Sequence, residues 1–203
     1  MPLEMMPTSE LRTEDAARWA DLHLVMQDLQ FVIDACRRFV AECQKAPRDD
    51  LVLEALWTSA VVKYGRCFAT GKRFRLDSDV FVNAPDGAPK AHKFFRDMRD
   101  KHVAHSVNPF EEACVGLVFS GRDAQPQNAV AVSFVSRKLV HQDAAGIKPL
   151  LSLASFVHKV VEAQARDLGH SICTWAQTQP AGTFQADRIR LVTPGPEDAS
   201  KPR

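Results

Sequence analysis

Apolar residues recur at steps of three and four through Leu22, Val25, Met26, Leu29, Val32, Ile33, Cys36, Phe39, Val40 and Cys43, which predicts one long amphipathic helix ending near Gln44. Thr13 followed by Glu14 and Asp15 supplies its start, a capping hydroxyl ahead of two acids. Ala46-Pro47-Arg48-Asp49-Asp50 breaks that helix and caps a second, over Leu51 to Thr70, which Gly71 should end in the left-handed conformation. Gly65 inside it marks a close helix crossing. Turn residues (Asp77 to Asp79, Asn83 to Gly87) lead to a third helix that opens at Pro89 and stops at Asn108-Pro109. The period then changes. Ala113–Ser120 and Asn128–Val135 are short and rich in β-branched residues, and read as a β-hairpin reaching towards Val140. The helical period returns from Pro149 through Leu150, Leu153, Ala154, Val157, Val161, Leu168, Ile172 and Trp175.

The fold class that follows is mainly α. We expect an antiparallel four-helix bundle over residues 1–178, with a β-hairpin at about 113–140 inserted between helices 3 and 4. The two long helices are expected outside and the two shorter ones inside. The remaining residues, 179–203, are rich in Pro, Gly and charge and read as a mostly flexible tail with a candidate strand around 188–192.

Composition adds few restrictions. The chain has 203 residues, 45% hydrophobic and 25% charged, enough for one domain with a real core. No apolar run approaches the ~18 residues of a membrane span, and residues 1–15 lack the pattern of a signal peptide. Five cysteines without a CxxC point to reduced thiols and a cytoplasmic location; Cys36 and Cys43 lie on the apolar stripe of the first helix and read as core. Net charge is only +1, so any case for a polyanion rests on local charge. From Lys63 to Lys101 there are ten basic residues (among them Lys63, Arg66, Lys72, Arg73, Arg96 and Lys101) against five acids, a local excess of five positive charges that favours RNA or a nucleotide.

That positive half coincides with the third helix. At about 100° per residue, Ala91, Phe94, Phe95, Met98, His102 and His105 share one face, with Arg99 on its border and Asp100 pointing elsewhere. Histidine moves protons near neutrality, and arginine forks onto phosphate oxygens where charge builds. Arg99 and His105 therefore suit a phosphodiester. On one continuous helix they would stand about 9 Å apart along the axis and about 120° apart around it. Two copies around a two-fold axis could bring both pairs into one cleft, so the functional reading predicts a homodimer. Alternatively His102 and His105 are satisfied interface histidines and Arg99 a border residue with its head in water. A metal site built on His92, His102 and His105 is the weaker idea, without a carboxylate on that face, and we assign no metal and no cofactor. No P-loop, G-x-G-x-x-G or G-x-S-x-G element is present.

Leu56-Trp57-Thr-Ser-Ala-Val-Val-Lys63-Tyr64-Gly65-Arg66 through Arg73, followed by Phe94-Phe95-Arg96-Asp97-Met98-Arg99-Asp100-Lys101-His102-Val103-Ala104-His105 and on to Glu111, resembles HEPN domains of the abortive-infection type. The resemblance covers about Leu51 to Glu111. It implies a dimeric, metal-independent endoribonuclease, a toxin or phage-defence effector with a cognate antitoxin. It gives Arg99 the scissile phosphate, His105 proton transfer and Asp100 the orienting role, with His102 beside them. It equally implies a second class, HEPN domains that bind RNA, nucleotide or a protein partner without cleaving. A third reading, a helical scaffold whose function lies in hairpin and tail, predicts no salt-dependent binding of polyanions.

Overall fold

A computed structural model describes residues 8–71, 74–103, 111–122, 125–185 and 195–198, and of His102 only the backbone. Among the described residues the protein is mainly helical, with four α-helices and one small antiparallel hairpin. Helix α1 spans Glu14–Glu42. Thr13 caps it as its sequence suggests, its hydroxyl accepting from the Ala16 N–H at 3.1 Å. Helix α2 spans Asp50–Arg66 and is capped by Asp49, whose carboxylate accepts from Val52 N–H. It stops before Thr70 because the chain tightens, with Cys67, Phe68 and Ala69 each bonding the carbonyl three residues back. Gly71 is accordingly not left-handed.

A short 3₁₀ turn over Ser78–Phe81 buries Val80 and Phe81 where the sequence suggested only a turn. Helix α3, Ala88–Asp97, starts at left-handed Gly87 (φ 84°) with Pro89 in its first turn. Its α-helical part ends at Asp97: from Met98 to Val103 the backbone widens into a π-helical segment, and the expected stop at Asn108-Pro109 lies outside the described residues. Strands β1 (Glu111–Phe119) and β2 (Ala129–Lys138) pair antiparallel, from Glu111 opposite Lys138 to a bulge at Val118/Phe119. They precede α4, Lys148–Gln177. The candidate strand at 188–192 lies outside the described residues.

The long helices pack on each other rather than standing outside two inner ones. Helix α1 makes its most extensive contacts with α4 and α2, while α3 lies against α4 and α2. Trp19, early in α1, donates to the Ala165 carbonyl late in α4, whereas Phe39, late in α1, meets the ring of His141 just before α4. These two helices therefore run in opposite directions. The core joins Leu22, Leu29, Val32 and Phe39 to Leu53, Trp57 and Tyr64 and to Leu150, Val157 and Val161. Each such buried side chain contributes about 1.5–3 kcal/mol. Cys36 lies fully buried among them, and burial pushes its thiol up to about 12, as befits a core cysteine. No helix among the described residues is long and apolar enough to cross a membrane.

Candidate functional site

Arg99 sits where α3 has given way to the π-helical segment, and it crosses α2 at Gly65. A β-carbon at Gly65 would stand 2.9 Å from Cγ of Arg99 and 3.2 Å from its Cβ and Cδ. The missing side chain on α2 is thus the seat of the arginine's aliphatic stem, the close crossing that Gly65 suggested. The head group emerges half-exposed, and its Nη1 donates to Oδ1 of Asp100 at 2.7 Å. One arm of the fork is held by the neighbouring carboxylate, a charge-assisted bond.

The π-helical segment alters the expected faces. Wider turns rotate every later residue away from the position that 100° steps assign. Phe95 and Met98 are buried as expected and Ala91 packs partly against the core; Phe94, in the α-helical part ahead of the wider turns, is exposed at the border of that face. Asp100, placed away from Arg99 by helical spacing, is instead its partner. His102 belongs to the same segment by its backbone. His105 lies outside the described residues, as do Ser106 and the stop at Asn108-Pro109.

The basic residues divide into two groups. Lys63 donates to Asp28 of α1 at 2.8 Å and Arg66 lies 3.6 Å from the same carboxylate, which is buried. Lys63 also stands 5.3 Å over the ring of Phe31. A count along the sequence from Lys63 to Lys101 misses Asp28, so it overstates the free charge of α2. Near Arg99 lies the second group. Arg96 is half-buried. Lys101 is exposed and 3.6 Å from Asp97, whose carboxyl is held below its ordinary range first by its bond from Lys93 and further by Lys101. Lys72 and Arg73 lie outside the described residues.

His92, in the sequence only a weak metal candidate, is paired inside the protein with Tyr64. Tyr64, the chain's single tyrosine, is fully buried, and its hydroxyl shares a 2.9 Å hydrogen bond with Nδ1 of His92 on α3. The imidazole is boxed by Phe68 and Phe81, with ring centroids 4.4 and 4.6 Å away. Burial, and after it the charge of Arg96, lowers the His92 pKa to about 4; burial raises that of Tyr64. His92 is thus a neutral structural group that fixes α3 on α2, two turns before Arg99. The available signal was its spacing: His92 and Phe95 lie three apart on the helix face that meets Tyr64.

Among the described residues no three His, Cys, Asp or Glu side chains converge as metal ligands. A hollow of about 680 Å³ lies away from Arg99, between α1 and α4, lined by Trp19, His23, Met26, Ala165 and Ile172. The chain matches no protein-family model, no curated protein and no solved structure.

Proposed function

We propose that this chain is a HEPN-type endoribonuclease, working without metal as a homodimer on RNA in the cytoplasm. In this reading the helices form an antiparallel four-helix bundle with the hairpin inserted between the third and fourth, and the biological role is that of a toxin or phage-defence effector held by a cognate antitoxin. The observation that supports it is the seating of Arg99: a stem fixed on Gly65 and a guanidinium oriented by Asp100 at the surface. An arginine fixed in this way meets a phosphate with little ordering left to do.

Cleavage would run through the ribose 2′-hydroxyl. Its oxygen attacks the adjacent phosphorus, its proton passes to a base, and the bond from phosphorus to the 5′-oxygen breaks with protonation of that oxygen. The products are a 2′,3′-cyclic phosphate and a 5′-hydroxyl. His105 transfers the protons, His102 stands nearby in the chain, and Arg99 carries the charge gathering on the phosphate oxygens. Arg96 and Lys101 hold the flanking backbone. The test is RNA cleavage by purified, EDTA-treated protein, which Arg99→Ala and His105→Ala should each abolish while leaving the helical fold intact. Undiminished cleavage by both variants ends the proposal.

A catalytically inactive module that binds RNA, a nucleotide or a protein partner is the second reading. Tight binding with no product over a long incubation would assign it.

A further inference from the structure

Strands β1 and β2 pack mainly on each other rather than on the helices. Val115 pairs with Phe134 and Leu117 with Val132. Residues two apart share a face, so these four stand together on one side of the ribbon. They are 76, 69, 58 and 69% exposed, in the order named. Val130, the unpaired residue of the bulge, is 62% exposed as well. A lone two-stranded hairpin is marginal in water, and a monomer seldom leaves so continuous an apolar surface uncovered. The exposed parts of these four residues amount to roughly half of the ~800 Å² that each partner gives to a standard interface.

The charges on this face indicate what covers it. Glu111 and Lys138, opposite each other at the base of the ribbon, belong to the same face as Val115 and Phe134. A second copy turned by 180° about an axis along the ribbon lays its β2 over β1. Glu111 then meets the partner's Lys138, and Val115 meets the partner's Phe134, small against large. Every pairing recurs with the roles exchanged, as a two-fold contact requires. One acid and one base cancel, so the face offers no field for a polyanion. On the opposite face Gly116 and Ser133 interrupt the apolar surface, and Glu112 is already closed by Arg137 at 2.8 Å.

We infer that this face is the contact between two copies of the chain, their ribbons stacked face to face about 10 Å apart. The rotation keeps both bases at the same end, so the two helical bodies, each with its Arg99, lie on the same side of the pair. The contact stands on the ribbon's own surface and does not rest on the cleavage chemistry.

Sedimentation equilibrium of the full chain tests it. The unmodified protein sediments as a dimer at micromolar concentration. Phe134→Lys raises the dimer dissociation constant at least about 100-fold. Val135→Lys, the next residue on the other face, changes it by no more than about 3-fold. Both variants keep the helical circular dichroism. A monomeric unmodified protein overturns the inference, and so does a Phe134→Lys dimer of unchanged affinity. Equal dissociation by Val135→Lys overturns it too, because damage to the hairpin as a whole would then account for both.

Discussion

Gly65 lies beneath Arg99 so closely that a methyl group there would stand 2.9 Å from the arginine Cγ. The contact is with the stem rather than the mobile head, so the arginine cannot yield by rotating its tip. Gly65→Ala has two opposed effects: alanine favours the helix by about 1 kcal/mol, and its β-carbon pushes Arg99 aside. The unfolding temperature should therefore change little. RNA cleavage should fall by up to about 100-fold, the cost of misplacing a catalytic group by about 1 Å. Single-turnover cleavage beside a thermal melt separates the two effects, and full activity in Gly65→Ala would show that the seat does not matter.

Asp100 both holds Arg99 and opposes RNA by its charge. Asp100→Asn keeps the shape while removing the negative charge. RNA should then bind more tightly, with the slope of log K against log salt steeper by about 0.7, while cleavage slows about 10-fold as Arg99 loses its orienting partner. Titration at several salt concentrations, alongside the cleavage rate, reads this split. Faster cleavage together with tighter binding would mean that Asp100 merely repels substrate.

His92 makes stability depend on pH. Its folded pKa of about 4 lies below the ordinary 6.5, so between those values the unfolded chain binds a proton that the folded chain refuses. Stability is whole above pH 6.5 and declines as pH falls towards 4, by at most roughly 3 kcal/mol and by less where water reaches the ring. Urea unfolding at pH 7, 6 and 5 should show the decline, and His92→Gln should flatten it. Tyr64→Phe removes the hydroxyl from Nδ1 and should cost about 1–2 kcal/mol at pH 7, or roughly 2–8 °C in a chain of this size.

The features legible in the sequence are those set by neighbours along the chain. Thr13, Asp49 and the Gly87–Pro89 pair announce helix starts because capping is satisfied within a few residues. The π-helical turn at Met98 did not announce itself, since it accompanies the crossing of Arg99 over Gly65, 34 positions earlier. Asp28 was visible as an acid beside Val25 and Leu29 of an apolar stripe, but its partner Lys63 lies 35 residues away. The hairpin's apolar runs read as strands correctly, yet such runs belong to sheets covered on their faces. Nothing along the chain indicated that the helices would leave them exposed.

The Asp28 cluster predicts that Lys63 and Lys101 answer differently to the loss of their charge. Lys63→Met takes the closest cation from a buried carboxylate and leaves it with Arg66 at 3.6 Å among the neighbours described. Breaking a fully buried pair costs about 3–5 kcal/mol; Lys63 is about one-third exposed, so roughly 1–2 kcal/mol is expected after screening. Its effect on RNA affinity should be small, because that charge is already neutralised inside the protein. Lys101→Ala, on an exposed side chain, should leave the unfolding midpoint within about 0.5 kcal/mol and reduce the salt slope of RNA binding by about 0.7. Melting curves and RNA titrations of the two variants make the comparison. Should Lys63→Met lose RNA affinity as much as Lys101→Ala while melting normally, the binding surface extends over α2, and the Asp28 pair is one that RNA can open.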